Sequence, residues 1–492
     1  MPSSAEMTDL DEVRNYVDGD WTTSTGGEQF DVTDPATGER LSTLRFSSDD
    51  EVDEAVSAAN DAFQSWKETA VEERIQPLFR LKQLLEEHQD DIARTLVSEH
   101  GKTFGEAKGE LRRGIENVEV ACGIPKMMQA GTLSNAAPNI DESAVRQPLG
   151  VFAAVTPFNF PGMIPLWFLP YAVATGNSFV LKPSERDPLT SQYLFELIDE
   201  AGFPPGVVSL VNGGADTVSA LIEHDDVAGI SFVGSTPVAR SIYEQAAAAG
   251  KRVQAQGGAK NHVIVSDSAD IEFAAAQSVS SALACSGERC LANDVILVDE
   301  SVYDEFRDAT LAEIESQVLG NGLDEETTIG PLITEEHEQS VRDMVQTGVD
   351  EGADLVYDGR DQTVEEYPDG NFLGPCLFED VTPDMTLAQE EIFGPVVCLV
   401  SVSDLDEALE VLNGSRFGNA ASLFTESGRD ARRFKQEAEA GNLAINAGTA
   451  APMAFFHFGG MKESFFGDLH AQGEDMIHFY TDKKITIERW DY

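Results

Sequence analysis

The sequence predicts an α/β fold: two successive doubly wound units, helices ahead of them, and a small β segment. Three observations carry this. From Gly150 onward, short apolar runs alternate with helical stretches. Alternation of that kind argues a parallel sheet covered on both faces. After about residue 258 a second series of the same texture begins. The chain also has 492 residues, more than one ordinary domain and enough for two or three.

In order, residues 1 to about 48 read as short strands and turns. Val52, Ala55, Val56, Ala59, Phe63 and Trp66 then fall at helical spacing. Leu78, Leu81, Leu84, Leu85, Ile92 and Leu96 predict a second helix ending near Gly101, and a third runs from Gly105 to Met128. The polar stretch 131–143 breaks the pattern. The first alternating series has strands at 151–155, 178–181, 207–211 and 230–233, with helices near 163–175, 188–202, 214–223 and 236–249. Gly202 followed by Pro204 ends a helix in the expected manner. The second series has strands at 263–265, 295–298, 354–357, 396–400, 420–424 and 443–446. Its helices are near 271–284, 301–317, 334–350, 404–413 and 428–438. The stretch 484–488 alternates like a strand without a sequence-adjacent partner, which points to pairing with another subunit.

Composition narrows the function. The formal charge is −54, from 87 acidic against 33 basic residues. Such a surface repels phosphate backbones and anionic lipid, which argues against nucleic-acid and membrane partners. The acid is spread along the chain, as expected of a protein from a high-salt cytoplasm, where screening shortens to a few Å. Five cysteines (Cys122, Cys285, Cys290, Cys376, Cys398) make no disulfide framework and no metal-ligand spacing, so no metal is expected. The N-terminal stretch lacks the pattern of a signal peptide. A cytoplasmic location is the expectation. The uncharged run from Gly150 to Leu181 is interrupted by Pro157, Pro161, Pro165 and Pro170, so it reads as buried strand, loop and helix rather than a membrane span.

The chemistry centres on Ser286-Gly287-Glu288-Arg289-Cys290. The thiolate is the reactive form of cysteine, and Arg289 is a cation placed to favour it. Ser231-Phe232-Val233-Gly234-Ser235-Thr236 runs from strand through glycine into a helix start, where free N–H groups attract anions. Lys182-Pro183-Ser184-Glu185 puts a cation and a carboxylate at another strand end, and such a carboxylate can take ribose hydroxyls.

With Thr156-Pro157-Phe158-Asn159-Phe160-Pro161 and Glu391-Ile392-Phe393-Gly394-Pro395, these motifs stand in the order and spacing of the aldehyde dehydrogenase superfamily, which the chain resembles over about residues 15–490. The resemblance implies a Rossmann-type NAD-binding domain (1–128 and 149–257), a catalytic domain (258–478) and a β oligomerisation segment (129–148 and 479–492). It implies a dimer or a tetramer of paired dimers. Cys290 becomes the nucleophile, and Asn159 with the Cys290 N–H the oxyanion donors. Thr156, Phe158, Lys182, Glu185, Gly234, Ser235, Gly257, Glu391 and Phe393 become cofactor-binding residues, and Phe160 a contact to a small-molecule substrate. A carboxylate at 185 suits a free 2′-hydroxyl, favouring NAD over NADP.

The departures are informative. Hydrolytic members resemble a Glu-Leu-Gly-Gly-Lys pattern whose Glu activates water. Here the run is Gln256-Gly257-Gly258-Ala259-Lys260-Asn261-His262, and a glutamine takes no proton from water near neutral pH. Coenzyme A would then collect the acyl group, unless another carboxylate does the base work. The Gly-Ala-Lys-Asn-His run, Arg289, Phe465-Phe466-Gly467-Asp468 and the region of Gly101-Lys102-Thr103 and Arg113-Gly114 resemble the branch acting on methylmalonate and malonate semialdehyde with coenzyme A. In that branch, residues matching Arg113 and Arg289 are linked to the charged substrate and acyl carrier. A hydrolytic aldehyde dehydrogenase for another aldehyde is the alternative. Glu288 and Ala239 depart from the branch, and Glu288 is expected to offset part of the charge on Arg289.

Overall fold

The computed structural model describes residues 3–8 and 10–490. Helix Asp49–Trp66 buries the six residues whose spacing predicts it, and Ser48 with Glu51 forms a capping box at its start. The single helix expected over 78–96 is two, Gln76–Glu87 and Gln89–His100, because the backbone leaves the helical region at His88 (φ −104°, ψ 10°). Gly101 ends the second with φ 94°. The third helix, Phe104–Cys122, starts on a capping box of Thr103 and Glu106.

The first sheet contains five parallel strands in the spatial order Val208–Leu210, Ser178–Lys182, Val151–Val155, Val227–Val233, Arg252–Gln256. Val151–Val155 and Ser178–Lys182 are buried at every position, which is why they read as unbroken apolar runs. The order reverses direction between Val151–Val155 and Val227–Val233. Loops at the carboxyl ends of those two strands therefore part and leave a crevice. Asn15–Val17 closes one edge antiparallel. Phe465–Gly467 closes the other against Gln254–Gln256, so this segment joins the first sheet although the sequence groups it with the second series.

The second sheet runs Asp354–Tyr357, Cys376–Glu379, Val396–Val402, Val295–Asp299, His262–Val265, Ala420–Phe424, Asn442–Ile445, antiparallel only at its first pair. Cys376–Glu379 is a strand the sequence pattern does not announce. The α/β fold class with two doubly wound sheets is as predicted.

A third sheet corrects two expectations. Thr132–Ala137 and Ile140–Pro148 are strands where the polar stretch suggested a break, and Thr481–Arg489 pairs along the whole of Ile140–Pro148 within the same chain. The tail strand thus has an in-chain partner. The sheet keeps Leu133, Val145, Ile485 and Ile487 exposed. Among the described residues no helix is long and apolar enough to cross a membrane.

Candidate active site

Helix Ile271–Leu283 delivers the chain to a turn in which Cys285, Ser286 and Gly287 have φ of 51°, 56° and 79°. Two successive non-glycine residues in the left-handed region are a strained arrangement held by its surroundings. Position 287 requires glycine, since a Cβ would run into the Gly394 carbonyl. Cys290 follows. Its carbonyl accepts hydrogen bonds from Asn261 Nδ2 (2.9 Å) and Asn419 Nδ2 (2.7 Å). Asn261 also donates to the Ala292 carbonyl (2.8 Å) and accepts the Ala420 N–H (3.0 Å). The backbone around the thiol is thereby clamped to strand starts of the second sheet.

Cys290, Arg289, Arg113 and Phe160 line one cavity of about 230 Å³, walled also by Met163, Trp167 and Phe458. The structure thus brings together the thiol and both arginines named by the sequence. Arg113 is partly satisfied by Glu116 at 2.9 Å. The thiol itself corrects an expectation. Burial pushes it up to about 12; Arg289 pulls the other way and Glu391 adds to the rise. Arg289 offsets only part of the cost of charging this half-buried sulfur. Glu288 does not enter that balance. Its side chain is fully buried, burial pushes its carboxyl well above the ordinary range, and it accepts the Ile333 N–H at 3.2 Å.

Asn159 lies in the loop between Val151–Val155 and helix Ile164–Thr175, next to the cavity-lining Phe160. It is buried, and among the described residues its Oδ1 has no hydrogen-bond partner. The unpaired atom is an acceptor and is open to a donor, whereas contact with an oxyanion would fall to Nδ2 on the same amide. Gln256 ends strand Arg252–Gln256, also buried, with Nε2 unpartnered among the described residues.

A second space of about 890 Å³ opens at the crevice of the first sheet, lined by Thr156, Phe158, Lys182, Glu185, Gly234 and Ser235. Helix Thr236–Ala248 begins there, and a Cβ on Gly234 would press on the Phe232 ring. Glu185 sits 3.1 Å from Lys182 Nζ. Burial raises its carboxyl, but Lys182 and nearby hydrogen bonds outweigh that and leave it lowered, hence charged. A long cleft with a carboxylate for ribose hydroxyls and a helix start for phosphates fits a dinucleotide.

Gly257, Glu391 and Phe393 do not line the cleft. Gly257 N–H donates to the Ser464 carbonyl (2.9 Å). Phe393, with φ 58°, meets Phe158 edge-on at 5.9 Å, and His337 Nε2 lies 2.7 Å from its carbonyl. Glu391 accepts the Ala259 N–H (2.9 Å), and burial pushes its carboxyl up to about 7. Gly258 lacks a Cβ where the Glu391 carboxylate approaches. Glu391 and Phe393 line a separate small space with Gly287 and Arg289. Ala239, the second departure, is fully buried in its helix. Asn419 and His337 escaped the sequence reading; each acts through a backbone carbonyl distant in sequence, and no local pattern marks it. Among the described residues no cluster of three or more His, Cys, Asp or Glu could hold a metal.

A thiol in a small cavity, with a dinucleotide-sized cleft elsewhere on this double α/β frame, defines an aldehyde dehydrogenase. The chain belongs to that family: residues 21–486 match the model of the aldehyde dehydrogenase family. It is 47% identical over 481 residues to malonate-semialdehyde dehydrogenase 1 of Geobacillus kaustophilus, covering 98% of each chain. It is 46% identical to malonate-semialdehyde dehydrogenase of Halalkalibacterium halodurans, over 99% of this chain and all of that one. Among solved structures, a methylmalonate-semialdehyde dehydrogenase of Oceanimonas doudoroffii superposes with a TM-score of 0.96 at 42% identity, covering 98% and 99% of the two chains. A Sinorhizobium meliloti protein assigned the same activity, complexed with NAD, gives 0.97 at 40% identity, with the same coverage.

Proposed function

We propose that the chain is an NAD-dependent, coenzyme A-acylating dehydrogenase of malonate or methylmalonate semialdehyde. The observation that carries this is the single cavity in which Cys290 shares walls with Arg113 and Arg289. In a chain of charge −54, two guanidiniums beside a thiol suit an aldehyde bearing a carboxylate. The names of the relatives support the same reading.

Cys290 gives its proton to solvent, the thiolate sulfur attacks the carbonyl carbon, and the carbonyl oxygen gains the electron pair. Asn159 Nδ2 and the Cys290 N–H donate to that oxyanion. NAD, when bound, accepts the hydride. Lys182, Glu185 and the start of helix Thr236–Ala248 would hold its adenosine and phosphates, and Glu391 and Phe393, which do not line that cleft, would come into play only at its nicotinamide end. Cys290 is left as a thioester. Its β-carboxylate departs as carbon dioxide, leaving an enolate stabilised by the thioester carbonyl, and that carbon takes a proton from solvent. The acyl group then passes to the thiol of coenzyme A, giving propionyl-CoA or acetyl-CoA, and Gln256 offers no base that would recruit water instead. Such an activity belongs to valine, β-alanine or inositol breakdown. The exposed face of the third sheet supports a dimer or tetramer. The spread of acid supports a high-salt cytoplasm, with activity held in molar KCl.

NADH formation followed with and without coenzyme A tests the reading, with product identified by mass spectrometry. Equal steady turnover in its absence overturns it. The hydrolytic reading draws on one observation: Glu391, with a carboxyl near neutral, is felt by the Cys290 thiol. Turnover independent of coenzyme A and lost in Glu391→Gln supports that reading.

A further inference from the structure

We propose that Lys102, held by Glu110, is a positioning residue that fixes the oxyanion donor Asn159 relative to Cys290. The two side chains form an ion pair of 2.5 Å with no exposure on either. Lys102 Nζ also donates to the Asn159 carbonyl (2.6 Å) and lies over the Phe160 ring, 4.3 Å from its centre. Glu110 Oε1 accepts the N–H groups of Gly162 (2.7 Å) and Met163 (3.2 Å). One pair therefore grips the loop 159–163 at both ends. A Cβ on Gly162 would come within 2.7 Å of Leu111 and 3.3 Å of the Glu110 carboxylate, so glycine permits the approach.

The other reactant is tied to the same helix. Glu106, one turn before Glu110 in Phe104–Cys122, accepts the Cys285 N–H at 2.7 Å. Arg113 follows on that face and enters the cavity. A single rigid helix thus spaces nucleophile turn, oxyanion loop and substrate cation. A buried ion pair adds little net stability once desolvation is counted. What accounts for this one is the geometry it holds, and small misplacements of reacting groups are costly in rate.

The proposal rests on aldehyde oxidation and is tested on the step shared by acylating and hydrolytic readings: the first-turnover NADH burst without coenzyme A. Lys102→Met should slow the burst by about 100-fold, the scale of a lost oxyanion donor. Iodoacetamide labelling of Cys290, and NAD affinity by tryptophan fluorescence, should stay within about twofold. Lys102→Met/Glu110→Gln leaves no lone buried acid and should show the same slow burst. A wild-type burst rate in either variant overturns the proposal. So does failure of both to fold, which would assign the pair to stability. Wild-type enzyme bursting with propanal but not with malonate semialdehyde would remove the substrate reading alone; no burst with either would remove both.

Discussion

The cavity that holds Cys290 and the cleft at the first sheet are built differently. The cavity of about 230 Å³ is small, with mainly apolar walls that also carry Arg113, Arg289, Glu106, Glu110 and Glu116, and its groups are clamped: the carbonyl of Cys290 by two asparagines, the oxyanion loop by a buried ion pair. The cleft of about 890 Å³ is formed by loops at strand ends and a helix start. The difference teaches where precision is needed. Bond-making atoms must sit within a fraction of an ångström, whereas a long dinucleotide spreads its recognition over many contacts. Substitutions of groups at the bond-making atoms should therefore act on rate, and those of groups that hold the remote parts of substrate or dinucleotide on affinity.

Asn159→Ala gives the largest separation: kcat should fall by about 10²–10³-fold with little change in NAD affinity, and a KM effect instead would break the contrast. Arg113→Gln should raise the KM for the charged semialdehyde by about 10–100-fold, the worth of a charge-assisted hydrogen bond. Propanal kinetics should stay as in wild type; an equal loss with propanal would show that Arg113 shapes the cavity rather than reading charge. Alkylation of Cys290 in the free enzyme should quicken about tenfold per pH unit from neutral pH upward. The sign follows from the thiol's rise to about 12: the reactive thiolate is the minor form and grows throughout that range. A plateau near neutral pH would mean that Arg289 prevails over burial. The smallest effect belongs to the cleft. Glu185→Gln should raise the KM for NAD about 3–10-fold and leave kcat nearly unchanged, and it should narrow the preference over NADP.

Much of this arrangement was legible beforehand. Strands such as Val151–Val155 are buried on both faces, so their composition announces them. Thr132–Ala137 is exposed at every position, so no apolar alternation betrayed it, and its neighbour Ile140–Pro148 is little better covered. The motif residues mark their places because glycine, proline and cysteine carry local constraints. What the motifs could not convey is environment. Arg289 beside Cys290 suggests an activated thiol, but the burial that reverses the shift arises from segments far apart in the chain. Asn419, Glu106 and Glu110 are likewise ordinary polar residues until the fold sets them against a backbone group.

Strand Arg252–Gln256 is completed by Phe465–Gly467, and Ile140–Pro148 by Thr481–Arg489. During synthesis each early strand emerges from the ribosome long before its neighbour. Until then it presents an open edge, an invitation to pair with other nascent chains. A message cut short before codon 465 would yield a product bearing Cys290, Asn159 and both arginines, yet with two sheet margins bare. Such fragments should sediment with aggregates or engage chaperones rather than accumulate as a smaller enzyme.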